Sequence, residues 1–583
     1  MQICQEIETD VLVVGGGGAG ERSAYESAKH GVNVIMVVKG KLGKSGCTTR
    51  SVSELSAYSA ALGHADPRDN PSRHYLDTID QGGGLSNQEL VRIFAREAPL
   101  RLLELVDKGM VLKRSGKRFE QLLADASTLP RACHNGADTG REIARVLKGL
   151  LSEMPVTVME DSMVVSLLKN QDTVVGAMVL NGNNDLILIR AKSTILATGG
   201  GGQIYALNAQ PPDLTGDGLA LALRAGADLV NMEFIQFGPA LVHPITGYLL
   251  VTRFWTLKPR IYNQDGVEFL NDYLPKQLLG DDVLRGKEFA FPFIVESPGM
   301  HLDVAMHSEI SKGKGTPHGG VYIDISHNDP DLISQRVPVT FKWLLERGID
   351  LRKSPIEIAP VAQCFIGGVK YNQRAETSIA GLYVCGEVSG GAHGAARPGG
   401  NLLAISQVFG ARAGDFAARR AKALTGVHID AVQVKDCCQQ LDGWIGDSEG
   451  RPDLREQSKS LRQAMWRYAS CVRTQEGLGK ALEVIQNIKN GLPEVRVPDK
   501  QSLRQVLELS FMTEVATMVT TAAMARQESR GTHYRVDYPS RNNHRWLKVL
   551  NFRRVEGRDR IFLTDPKRIT DFYTEKEEEI YHG

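Results

Sequence analysis

The residues best suited to chemistry stand near the start of the chain. Gly15, Gly17 and Gly20 carry the G-x-G-x-x-G spacing, with Gly18 and Ala19 between them. Glycine lets the turn tighten at Gly15, lets a pyrophosphate come against the backbone at Gly17, and lets a helix lie close on a strand at Gly20. The chemistry this predicts is anion binding. Unpaired N–H groups and the positive dipole end of the following helix would face the phosphates of a dinucleotide. The acid that grips a ribose at the end of the next strand in NAD sites is missing, because Val38-Lys39 stands there.

Such a turn needs elements to hold it. Residues 10–14 read as an apolar strand, 21–31 as a helix and 32–38 as a second strand, so the unit is βαβ and opens a parallel sheet. Two more strands run into glycines. Residues 193–197 lead to Thr198, Gly199 and Gly200, followed by a helix that opens on Asp217. Residues 381–385 lead to Gly386 and Glu387, with a glycine-rich stretch from Gly390 to Asn401 and then Leu403. Three junctions so far apart cannot each be a cofactor site, but all can border one long cofactor, which favours FAD over NAD. The small residues of 41–49, Ser45 and Gly46 among them, suit contact with a flat ring. Helices are predicted over 87–108 and 139–152. Strands are predicted over 156–159, 163–169, 174–181 and 186–190, the last two joined as a hairpin by Asn181-Gly182-Asn183-Asn184. The stretch 238–355 reads as an inserted domain that covers the site. Beyond 425, periodic apolar runs predict a small helical bundle.

At 583 residues the chain is too long for one core. A net charge of +1 gives no reason to expect nucleic acid or an anionic membrane as a direct partner. No run of about 18 apolar residues occurs, so no membrane span is predicted. The opening residues lack the basic and apolar features of a signal peptide, which points to the cytoplasm. The 8 cysteines form no C-x-x-C pair, so no metal or iron–sulfur site is expected within this chain. The acidic run 575–579 reads as a solvated tail or helix face.

With these pieces in order, the chain resembles the fumarate reductase/succinate dehydrogenase flavoprotein superfamily, whose members include L-aspartate oxidase and adenylylsulfate reductase. The resemblance rests first on the opening turn, on Leu196-Ala197-Thr198-Gly199-Gly200 and on Thr215-Gly216-Asp217-Gly218-Leu219-Ala220. It continues through Met232-Glu233-Phe234-Ile235-Gln236-Phe237, Asn263-Gln264-Asp265-Gly266, Gly386-Glu387, His393-Gly394-Ala395 and Arg397. Near the end stands Glu528-Ser529-Arg530-Gly531-Thr532-His533-Tyr534-Arg535-Val536-Asp537-Tyr538-Pro539. Almost the whole chain is covered. The resemblance implies an α/β, Rossmann-like FAD domain in two parts (1–237 and 356–425) with an inserted α+β capping domain (238–355). It implies a C-terminal helical bundle domain (426–535) and a C-terminal extension (536–583). It implies hydride transfer between flavin N5 and a substrate carbon, with electrons exchanged with an iron–sulfur protein subunit. The assembly would be an oligomer or heteromeric complex that meets a membrane only through partner subunits. Glu387 matches the acid that bonds the flavin's ribityl chain, and Asp217 an acid near the same cofactor. Lys39, Ser45 and Gly46 match the loop from adenine to isoalloxazine, and Asn401 and Leu403 belong to the matching segment after Arg397.

Departures decide how much function carries over. Gly46 stands where the family's S-H-T carries the flavin-linking histidine, so FAD should be non-covalent. Gly238 and Gln363 replace two histidines, and Trp255 falls where R-G-E-G-G has the proton-shuttle arginine. Of the family's substrate groups only Arg397 survives. Each hydrogen bond to a charged group contributes about 1.5–3 kcal/mol, so losing several weakens a dicarboxylate by orders of magnitude. Losing the acid costs a further ~10²–10⁴ in rate. The expected substrate is therefore a small carboxylate- or acyl-bearing molecule other than succinate or fumarate. Candidate catalytic residues are Arg397 and His393, with Arg253 and His243 from the rewritten cap; Trp255 and Phe254 are candidate walls. Two alternatives stay open: an oxyanion reductase in the manner of adenylylsulfate reductase, and an electron-relay subunit with no small substrate of its own.

Overall fold

A strand that is apolar at every position must be covered on both faces, and the opening strand, Ile3–Val14, ends that way: Val11 to Val14 are at most 5% exposed. In the computed structural model, which describes residues 1–50, 52–447, 453–570 and 572, this strand pairs in parallel with Val34–Val37 on one side and Leu186–Leu196 on the other. Val156–Met159 extends the sheet beyond Val34–Val37. Thr173–Leu180 and Met163–Asn170 add antiparallel strands on the other side. The predicted hairpin is there, with Leu180 opposite Leu186 and Asn181 N–H donating to the Asp185 carbonyl at 3.0 Å. The runs expected as separate strands at 186–190 and 193–197 are one strand. Lys192 does not break it, because its ammonium pairs with Asp10 at 2.8 Å while Ala191 and Ser193 keep register with the opening strand.

The strand ends matter most for function. Val14 lies opposite Leu196, and Leu196 opposite Val384 of the short parallel strand Leu382–Val384. The three glycine junctions therefore emerge side by side at the carboxyl end of one parallel sheet, where open α/β sheets bind their ligands. The first helix, Gly18–Lys29, packs on the long helix Asn401–Lys422 at small residues; a Cβ at Gly414 would lie 2.3 Å from the Ser23 carbonyl oxygen.

Above this end sits a second, antiparallel sheet in the order Ile235–His243, Ile356–Phe365, Val321–Asp324, Arg260–Tyr262. Its first strand crosses the expected cap boundary at 237/238, and its second begins at the other, 355/356. Within the cap, Lys287 and Asp303 form a fully buried ion pair, and Lys287 Nζ also donates to the Phe291 carbonyl at 2.7 Å. That bond fixes Phe291, which faces the site described below.

Leu454–Ala469, Gln475–Gly491 and Lys500–Ala525 pack on one another as the helical unit. By length and composition alone Lys500–Ala525 could cross a membrane, but 78% of its most apolar window is buried inside the protein. Its acids also point inward: Glu508 pairs with Lys39 at 2.8 Å and Glu514 with Arg224 at 3.0 Å. The hairpin Val549–Val555/Arg558–Thr564 adds to a sheet that includes Leu229–Val230. The acidic run 575–579 lies outside the described residues.

Removing one partner of a buried pair leaves an uncompensated charge. Asp303→Ala is expected to destabilise the protein by about 3–5 kcal/mol, whereas replacing Lys287 and Asp303 together by Met and Leu recovers most of the loss. Thermal denaturation of the three proteins side by side checks this.

A cofactor cavity and a smaller pocket that opens from it

The three glycine junctions border one cavity of about 300 Å³. Gly15 has φ +113°, and a Cβ there would lie 2.3 Å from the Ala197 carbonyl oxygen, so only glycine fits between the strand ends. A Cβ at Gly20 would lie 2.0 Å from the Gly15 carbonyl oxygen, which seats the first helix on the turn. Gly17 precedes that helix without a side-chain cap of its own; the Gly18 N–H donates to Thr48 Oγ1 at 3.0 Å, and the positive end of the helix faces the cavity. The nearest atom to a Cβ on Gly17 would be Thr48 Oγ1 at 3.7 Å, so a phosphate can come against the backbone. Of the expected cofactor residues, all but Gly20, Gly200 and Asn401 line the cavity. Those three act from behind it. Gly200 admits Glu387, whose Oε1 would be 2.4 Å from a Cβ there. The Asn401 amide is spent on His74 Nε2 at 2.9 Å and Thr78 Oγ1 at 3.1 Å.

The polar groups of the wall suit a dinucleotide carrying a flavin. Thr198 Oγ1 and Gln363 Oε1 are buried on it without a partner, and buried polar atoms of this kind call for a ligand. Glu387 Oε1 accepts from the Phe365 N–H at 2.9 Å, and burial raises its pKa. Lys39 Nζ sits between Glu508 at 2.8 Å, Asp217 at 3.0 Å and Thr215 Oγ1 at 2.6 Å. Burial works against the Lys39 charge, but the carboxylates of Asp217 and Glu508 outweigh it and lift its pKa above the ordinary value. Where an NAD site offers an acid, this chain offers a compensated cation. Gly46 (φ +81°) has open space where a side chain would be and no atom with which to bond a flavin.

A second cavity, of about 190 Å³, opens from the first; Ser53, Ser56, Leu249, Gln363, Arg397 and Leu403 line both. Arg397 is only 8% exposed. Its guanidinium donates to the Pro398 carbonyl at 3.1 Å and to Cys364 Sγ at 3.7 Å, its Nε has no partner, and among the described residues it has no ion pair. Burial pushes the Cys364 thiol up to about 11, so that thiol stays neutral. Arg253, on the short helix Thr252–Trp255, lines the same pocket from its exposed rim. The helix Asn401–Lys422 begins beside it, with Leu402 and Leu403 in the wall, so its positive dipole end adds to the field of the two arginines.

Several expected residues are not brought here. His393 is buried outside both cavities with neither ring nitrogen bonded, and burial, with Arg397 nearby, pushes its pKa down to about 3. It is a neutral packing residue. His243 is the exposed end of an otherwise buried strand and stacks on His318, ring centres 3.6 Å apart and planes 9° apart, while His318 Nδ1 reaches Glu357 at 3.0 Å. Trp255 and Phe254 are no walls: both are buried in the cap, where the indole N–H donates to the Leu250 carbonyl at 2.8 Å. Leu249 and Phe291 face the pocket instead.

One pocket residue escaped the sequence reading. Asp125 follows the short strand Gln121–Leu122 and is tied to the Arg397 segment by the Gly399 N–H, which donates to its carbonyl at 2.8 Å. Ala126 after it has φ +57°, a costly conformation for alanine, held by the packing of this loop on the cap. Burial raises the Asp125 carboxyl to about 7, against the opposing pull of Arg397 and a hydrogen bond with Thr252. The signal available was an acid set in the apolar run Leu122-Leu123-Ala124-Asp125-Ala126.

Comparison with known proteins agrees with this geometry. Residues 10–403 match the FAD binding domain family, and residues 458–577 the fumarate reductase flavoprotein C-terminal family. The chain is 35% identical to one of the subunits of the fumarate reductase (CoM/CoB) of Methanothermobacter marburgensis, over 94% of this chain and 98% of that one. It is 31% identical to the L-aspartate oxidase of Yersinia pestis, over 92% and 98%. A solved quinol–fumarate reductase with menaquinol molecules matches at a TM-score of 0.84 and 28% identity, over 98% of this chain and 99% of that one. The cavity, its glycine turns and these likenesses converge: the chain belongs to the fumarate reductase/succinate dehydrogenase flavoprotein family and is an FAD-dependent oxidoreductase.

Proposed function

We propose that this protein is the flavin subunit of a complex that reduces a small unsaturated carboxylate, or oxidises its saturated partner, at the carbon–carbon bond next to the carboxylate. The observation that carries the reading is the buried, unpaired guanidinium of Arg397 where the two cavities meet. A bound FAD supplies hydride chemistry at its N5. Arg397 seats the carboxylate in bidentate fashion and so aligns the adjacent double bond with the larger cavity. Leu249, Phe291, Leu402 and Leu403 keep water from that bond.

Arg253 sets how many carboxylates the pocket takes. Gly238 and Gln363 leave a dicarboxylate without two of the family's ligands, which supports an acid other than fumarate as the preferred substrate. Arg253 on the rim offers one of them back. Electrons would be exchanged with an iron–sulfur protein subunit. Support for that lies in the relatives, which are named as subunits of larger enzymes, and in the scattered free cysteines of this chain.

Reoxidation of the photoreduced protein, followed anaerobically by flavin absorbance with fumarate and with crotonate, tests the reading. Arg397→Ala is expected to lower the second-order rate for both by ~10²–10⁴, the equivalent of two charge-assisted hydrogen bonds. Arg253→Ala should cost fumarate about 10–10² more than crotonate. Reoxidation untouched by loss of Arg397 would sink the assignment. The cofactor linkage has its own check: acid precipitation should release all of the flavin as FAD, leaving no fluorescence in the denatured polypeptide.

A further inference from the structure

We infer that Asp125 is the catalytic acid, and in the reverse direction the base, of the small pocket: it gives a proton to the substrate carbon that does not receive the hydride. The inference rests on the carboxylate–alkene reading above and supplies what that reading lacks. The arginine that shuttles protons in the family is absent, and Trp255 in its place is buried with its indole N–H committed. The other polar groups of the pocket are less well placed. Arg397 donates to the Pro398 carbonyl and to Cys364 Sγ, Arg253 stands on the exposed rim, Ser53, Ser56 and Thr252 carry only hydroxyls, and Gln363 has no acidic proton. Asp125 is the one carboxyl among the described residues that line it.

Its placement fits the role. Asp125 lies close to Gly399, where a Cβ would come within 3.2 Å of Oδ2. The charged or hydrogen-bonding side chains that act on it are Arg397 from the glycine-rich segment and Thr252 from the cap helix; Arg253 lines the same pocket. The carboxyl thus stands between the two segments that frame the substrate. Burial lifts it to about 7, near the working pH at which a general acid is most effective. In the step itself, the double bond gains a hydride, for which the reductant is the reduced flavin, and a proton. The Asp125 O–H bond breaks as the new C–H bond forms, and the carboxylate left behind takes a proton from water. Reduction needs the protonated form, so its rate falls as pH rises through the Asp125 pKa; oxidation needs the carboxylate and gains over the same interval.

The test uses the FAD-loaded protein with three acceptors: fumarate, crotonate and 3-nitroacrylate. The nitro group of the last holds the added electron pair as a nitronate, so hydride transfer there needs no donated proton. Asp125→Asn is expected to lose ~10²–10⁴ in rate with fumarate and crotonate while reducing 3-nitroacrylate about as fast as the parent, with the nitronate seen by its ultraviolet absorption. Asp125→Glu should restore part of the fumarate or crotonate rate with a displaced pH midpoint. Independently of any acceptor, the infrared difference between parent and Asp125→Asn should contain a protonated-carboxyl band that disappears between about pH 6 and 8, over and above the bands of Glu21 and Asp303 that both proteins share. Asp125→Asn that still reduces fumarate or crotonate within about tenfold of the parent, or that fails with 3-nitroacrylate as well, overturns the assignment. A parent protein that reacts with none of the three overturns the carboxylate–alkene reading itself, and the acid with it.

Discussion

A buried guanidinium with no ion pair among the described residues is the constraint around which the site is arranged. Withdrawing a cation from water costs several kcal/mol, and a protein normally meets that cost with a paired acid. Arg397 has only a backbone carbonyl and a neutral thiol. The arrangement is stable in a molecule whose pocket receives an anion, and the surroundings agree. A helix begins beside it, a second arginine stands at the rim, and the acid close by is one that burial tends to keep neutral.

The cofactor half of the protein was legible in the sequence because its rules are local and steric. Where a Cβ would lie 2.3 Å from a neighbouring carbonyl, glycine is obligatory, and obligatory glycines after apolar strands mark the ends of a parallel sheet. From three such ends the meeting at one cavity follows, since parallel strands paired in register present their carboxyl ends together. The strand continuity hidden in the sequence, as at Ala191-Lys192, arises where an ion pair with the neighbouring strand carries a polar residue through the sheet.

The substrate half was far less legible. His243, Arg253 and Trp255 lie close in sequence and look equally suited to a site, yet one is the exposed end of a buried strand, one lines the pocket and one fills the cap core. Their directions are set by partners such as His318 and the Leu250 carbonyl, which no spacing encodes. Asp125 is the sharper case. Its loop has no periodicity, and its meaning comes from contact with Gly399 and Arg397, hundreds of residues away. The apolar character of Lys500–Ala525 is likewise masked in the sequence, because its charged residues interrupt the run but in space bind Lys39 and Arg224.

Arg397 and Asp125 cannot be considered apart. The guanidinium lowers the Asp125 pKa and burial raises it; the balance near neutrality belongs to the pocket before substrate enters. A substrate carboxylate seated on Arg397 cancels much of that positive field and excludes water, and both changes favour the protonated acid. Binding therefore does two things through one contact: it places the double bond, and it strengthens the hold of Asp125 on its proton until the carbon beside it becomes basic enough to take it. An arginine already paired with a protein carboxylate could do neither, which is a physical reason for the fold to leave this charge without an ion pair.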